Sequence, residues 1–158
     1  MTVRKGVKSD LPQVLTLVKE LAEYERALNE VSNTVERMEE DGFSSNPIFG
    51  FFVAERNHTI VGIALYYYRY STWKGKRLYL EDIVVTQSER GKGIGKLLFE
   101  QILKFVLEQK CSGILWQVLN WNESAINFYK KYNPKLDNEW INCSLESTEI
   151  EKLLEVNK

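Results

Sequence analysis

The stretch SERGKGIG, residues 88–95, sets glycines at positions 91, 93 and 95, straight after the apolar run Ile83–Val85. An amphipathic pattern follows at once: Leu97, Leu98, Ile102 and Phe105. A glycine inside a helix costs roughly 1 kcal/mol relative to alanine. So poor a helix former at a helix start points to a strand, a tight turn and a helix whose first turn meets a ligand. The first N–H groups of a helix lack partners and carry about half a positive charge. Glycine lets an anion's oxygens reach that bare backbone.

The elements on either side place this turn in the middle of one α/β (α+β) domain spanning all 158 residues. Residues 2–7 read as a strand. Asp10 reads as a helix N-cap, with Pro12 in the first turn and Leu11, Val14, Leu15, Val18, Leu21 and Ala22 on one face. A second helix runs from Thr34 to Asp41 and stops at Gly42. Strands follow over 49–55 and 60–70, joined by a turn at Asn57-His58, and then over 77–85. The helix after the glycines reaches Gln109. Residues 113–119 are a strand, Asn122 caps a helix, 139–145 read as a late strand and 148–156 as a terminal helix. This order predicts a mixed, mostly antiparallel sheet of six or seven strands with helices on both faces.

Several classes of function are disfavoured. A net charge of −1 offers no basic face for nucleic acid. No apolar run approaches a membrane span, and MTVRKGVKSD lacks a signal-peptide core, so the expected location is the cytoplasm. Cys111 and Cys143 fit no metal or redox spacing and read as reduced, buried side chains. His58, the single histidine, gives no triad and no zinc site, so no metal is expected. The glycine stretch itself fails as a Walker A loop, because Gly91 to Gly95 is one residue short and Leu97 follows Lys96 where a hydroxyl is required. It fails as a dinucleotide fingerprint for want of a third glycine at the right offset. The pattern [QR]-x-x-G-x-[GA] of acyl-coenzyme A transferases is met by Arg90, Gly93 and Gly95.

Further segments carry the same likeness: KELAEYE (19–25), EDGFSSNP (40–47), GIALYYYRYSTWKGKRLYLEDIVV (62–85), RGKGIGKLL (90–98) and WNESAINFYKKY (121–132). Through them the chain resembles the GNAT superfamily of N-acetyltransferases, and within it the spermidine/spermine (diamine) acetyltransferases. The resemblance implies a GNAT fold, acetyl-coenzyme A as cosubstrate, a small-molecule amine as acceptor and a homodimer. It implies that Ile83, Val84 and Val85 meet the pantetheine arm. Residues Arg90, Gly91, Lys92, Gly93, Ile94, Gly95 and Lys96 would meet the diphosphate, with Asn122 and Ser124 contacting the cofactor from the next helix. Glu81 matches the family's base and Tyr129 its acid. Tyr24, Glu25, Trp73 and Glu81 border the amine site.

Elementary chemistry agrees with the two catalytic assignments. A carboxylate takes the proton that an alkylammonium must lose, and a phenol returns one to a departing thiolate. In a regular strand Asp82 projects to the face opposite Glu81; a bulge changes that. Two departures bear on the acceptor. Ser71 and Thr72 stand where the diamine enzymes have an acidic residue and proline, and Asn133-Pro134 where superfamily members have glycine and a small or aromatic residue. A diamine, a polyamine and a lysine-like amino acid such as thialysine all remain open. So do a protein lysine or N-terminal amine and a non-catalytic coenzyme A-binding module.

Overall fold

In the computed structural model, which describes residues 1–156, the long apolar runs pair into one sheet. Its strands are β1 (Thr2–Lys5), β2 (Gly50–Arg56), β3 (Thr59–Ser71), β4 (Gly75–Val85) and β5 (Ile114–Trp116), adjacent in that order. All neighbours are antiparallel except β4 and β5, which run parallel. The helices are α1 (Leu11–Tyr24), α2 (Val35–Phe43), α3 (Ile94–Glu108), α4 (Glu123–Lys130) and α5 (Ser147–Val156). The mixed, mostly antiparallel sheet is as expected. The number of strands is a correction: five among the described residues, not six or seven.

The chain falls into two compact units, Met1–Gln117 and a second beginning at Val118. In the first, period-two alternation feeds two cores. Phe51, Val53, Ile63, Leu65 and Val84 meet Leu11, Val14, Leu15 and Leu17 of α1 and Met38 of α2. From the opposite face Phe52 and Tyr66 meet Phe105 of α3, with ring centroids 5.3 and 4.8 Å apart. Helices therefore cover both faces. Asn57 and His58 both take positive φ in the two-residue loop between β2 and β3, the type I′ geometry that suits a hairpin.

Other expectations need correction. Asp10 stands at the N-cap position of α1 as expected, but its carboxylate makes no capping hydrogen bond. It accepts hydrogen bonds from Arg4 and from the Val7 N–H, which hold it below the usual carboxylate range. The second helix passes through Gly42 to Phe43, capped by Thr34, whose hydroxyl accepts from the Arg37 N–H. The strand expected over 113–119 is paired only at Ile114–Trp116. In the second unit, residues 139–145 form no strand. Ile141, Cys143 and Leu145 do alternate with Asn142 and Ser144, but all three are exposed, so this apolar alternation is not buried. Cys111 is half-buried and Cys143 exposed, both as free thiols, so neither is the buried core residue expected. Among the described residues no helix is long and apolar enough to cross a membrane.

Candidate active site

Gly91 and Gly93 of the 88–95 stretch are there for conformation rather than for room. Gly91 and Gly93 have φ of 77° and 81°, in the left-handed region, and a Cβ at either would touch nothing within 4 Å. Gly93 is the N-cap of α3 and has no side chain to offer. The first helical hydrogen bond runs from the Leu97 N–H to the Gly93 carbonyl at 3.1 Å. The preceding N–H groups of Ile94, Gly95 and Lys96 therefore precede the helical ladder, and the first turn carries no acidic residue. An anion suits this start.

The three cations beside it are not equivalent. Lys92 lies 3.2 Å from Glu89 and Lys96 3.9 Å from Glu100, both on exposed surface. Arg90 is committed to the loop: its Nε donates to the Val85 carbonyl at 2.9 Å, and its guanidinium sits 5.5 Å from the Tyr24 ring centroid. Glu20 of α1 is a residue the sequence reading missed. Its carboxylate accepts from the Gln87 N–H at 2.8 Å and the Thr86 hydroxyl at 3.0 Å, and it faces Arg90 at 3.7 Å. It pins the end of β4 to α1.

Upstream of the loop, β4 carries the bulge on which the site turns. Leu65 pairs with Asp82 and Tyr66 with Leu80, so Glu81 is the extra residue. The bulge inverts the side-chain parity of the strand. Leu78 and Leu80 bury on the α3 face with Tyr66, while Asp82 and Val84 turn to the α1 face with Leu65 and Ile63. Glu81 and Asp82 consequently line one cleft of about 730 Å³, together with residues of α1, α2, β3 and the segment entering β2. Among the described residues three carboxylates line it, Asp41, Glu81 and Asp82, and no lysine or arginine does. Beyond Leu80 and Trp116 the pairing with β5 ends, so Ile83, Val84 and Val85 are laddered to β3 on one edge only.

The two carboxyls differ in their surroundings. Glu81 is exposed and accepts from the Tyr67 hydroxyl at 3.1 Å. Asp82 is pushed up to about 7, first by burial, then by the charges of Glu81 and Glu25. Burial also raises the Glu25 carboxyl. The unfolded Asp82 ionises near pH ~3.9 and the folded one near 7, so stability declines as pH rises between them. Asp82→Asn is expected to raise the melting temperature at pH 8 and leave it nearly unchanged at pH 3. Scanning calorimetry at the two pH values checks this.

Of the other expected residues, Tyr24 and Glu25 close the end of α1, Tyr24 against Arg90 and Glu25 within the field of Asp82. Trp73 is apart from them, at the β3–β4 hairpin tip, 90% exposed and outside the cleft lining. In the second unit Asn122 caps α4, its side-chain oxygen accepting from the Ala125 N–H at 3.2 Å, and Ser124 lies in the first turn. Tyr129, on the same helix, is buried against Phe128, with ring centroids 5.3 Å apart. Among the described residues no group of His, Cys, Asp or Glu is placed to hold a metal.

A family model for the GNAT acetyltransferases matches residues 16–133. The chain belongs to the GNAT acetyltransferase family. It is an acyltransferase whose family takes its acetyl group from acetyl-coenzyme A, and its relatives act on amines. It is 38% identical over 136 residues to a thialysine N-epsilon-acetyltransferase of Bos taurus, covering 81% of this chain and 80% of that one. It is 37% identical over 134 residues to the spermidine/spermine N(1)-acetyltransferase-like protein 1 of Homo sapiens, covering 80% of this chain and 19% of that protein. Among solved structures, an integron cassette protein from the mobile metagenome of V. cholerae superposes with a TM-score of 0.78 at 21% identity, over 98% of this chain and 97% of its own. That last likeness is one of fold.

Proposed function

We propose that this acetyltransferase moves the acetyl group of acetyl-coenzyme A to a primary amine of a small diamine, polyamine or lysine-like molecule by direct attack. The observation that carries the reading is the bulge at Glu81, which sets two carboxyls in one anionic cleft beside the unpaired edge of β4. The cleft's volume is that of a small-molecule site rather than a protein groove. Its charge suits an ammonium, and the named relatives act on amines.

Glu81 takes the proton that the attacking amine sheds, and Asp82 beside it, raised to about 7, is part-protonated at neutral pH, which lessens the negative charge around the site. As the new N–C bond forms and the C–S bond breaks, N–H groups along Ile83–Val85 steady the carbonyl oxygen. Tyr129 returns a proton to the departing thiolate, a phenol ordinarily carrying its proton at neutral pH and so having one to donate. The N–H groups of the 91–96 loop, with Lys92 and Lys96, hold the diphosphate. Arg90 fixes the loop to Val85 rather than reaching outward. Asn122 and Ser124 border the cofactor, and Tyr24 and Glu25 the amine.

The family match crosses the boundary between the two units, which supports a single catalytic domain over 1–158. On the resemblance we take the enzyme to be a cytoplasmic homodimer. An acceptor screen tests the function: acetyl-coenzyme A with putrescine, spermidine, thialysine, lysine and peptides, reading released thiol. Turnover with the small amines is expected; turnover with peptides alone would contradict the reading.

A further inference from the structure

The face of the sheet that carries Glu81 continues past the cleft toward the β3–β4 hairpin. Two cross-strand rows follow along it: Tyr67 opposite Tyr79, then Arg69 opposite Arg77. The tyrosines stack, with ring centroids 5.2 Å apart, and the Arg69 guanidinium lies 5.8 Å from the Tyr79 ring centroid. Like charges directly opposite each other on neighbouring strands are destabilising. Among the described residues neither arginine makes an ion pair. The Arg77 Nε is buried without a hydrogen-bond partner. Its guanidinium rests against Gly113, where an added Cβ would lie 2.7 Å from Nη2. Two cations held beside one another with unused donors make a seat for a carboxylate.

We infer that Arg69 and Arg77 form a carboxylate-binding subsite, and that the acceptor is an α,ω-diamino acid held there by its carboxylate with its far amine at Glu81. This rests on the amine acetyltransferase reading above and names which of its acceptors the site selects. The spacing agrees. Tyr79 is one two-residue step from Glu81, roughly 6.8 Å along a strand, and the Arg69 guanidinium lies 5.8 Å from the Tyr79 ring centroid. The six bonds from the side-chain amine to the carboxyl carbon of an extended lysine span about 7 Å. The Tyr67 hydroxyl, bonded to Glu81, and the Tyr79 ring make the apolar and polar floor between the two ends. A polyamine would set a second cation against the arginines, so the same pair that attracts a carboxylate repels the competing class.

The experiment compares L-lysine with 1,5-diaminopentane, which is lysine without its carboxylate, as acceptors of the wild-type protein, Arg69→Gln and Arg69→Lys. Released thiol is the readout. Wild type is expected to favour lysine in kcat/KM. Arg69→Gln is expected to lower the lysine-to-diamine ratio about tenfold or more, and Arg69→Lys to keep most of it. A wild type that favours the diamine, or an Arg69→Gln that lowers both acceptors by one factor, overturns the subsite. If wild type acetylates neither acceptor, the amine reading fails separately. Calorimetric titration of L-lysine with coenzyme A present then decides the subsite: binding weakened in Arg69→Gln supports it, and no binding to wild type overturns it.

Discussion

Glu81→Gln is expected to lower kcat/KM about 100- to 10,000-fold at pH 7 and to regain part of the loss by pH 9.5. The reason is the protonation state of the acceptor. An alkylamine of pKa about 10.4 keeps its neutral form about 3.4 units uphill at pH 7, worth about 4.6 kcal/mol. A carboxylate at the reacting nitrogen removes much of that penalty, and alkaline solution removes it without help. The substitution preserves size and hydrogen-bonding capacity, so the bond from the Tyr67 hydroxyl survives and the bulge has no reason to collapse. A loss that is the same at every pH contradicts the base assignment.

Gly93→Val is expected to raise the KM for acetyl-coenzyme A about tenfold or more, with a smaller effect on the KM for the amine. Position 93 has φ of 81°, and a β-branched residue held there costs about 1–3 kcal/mol. The loop escapes that strain by changing conformation, and the N–H groups of residues 94–96 then lose their common direction. Because a Cβ at 93 meets no protein atom within 4 Å, crowding inside the protein does not confuse the result. Gly93→Asn, which tolerates the left-handed region, is expected to lose less. Steady-state kinetics with acetyl-coenzyme A varied at saturating amine checks both. An unchanged KM in Gly93→Val contradicts a ligand role for the loop.

The features read correctly from the sequence are local ones. Glycines before an amphipathic run announce a helix start wherever the chain goes. The helix cap at Asn122 and the turn at Asn57-His58 depend on neighbours only a few residues away. What escaped depends on pairing across the sheet. No periodicity in YLEDIVV says that Glu81 is skipped by β3, yet that skip brings Asp82 round to the cleft and raises its pKa. The row Arg69–Arg77 and the role of Glu20, far from the Thr86-Gln87 groups it holds, exist only once register and packing are known. The failed strand at 139–145 marks the other limit. A short run with apolar alternation, here Ile141, Cys143 and Leu145, is no strand without an edge to join.

The most direct measurement is a crystal structure of the protein bound to coenzyme A. The account places the diphosphate on the main-chain N–H groups of residues 91–96, the arm along the unpaired edge of Ile83–Val85, and the sulfur beside Glu81 and the Tyr129 hydroxyl. A glycine loop with no diphosphate on it, or a sulfur directed away from those two side chains, would contradict it.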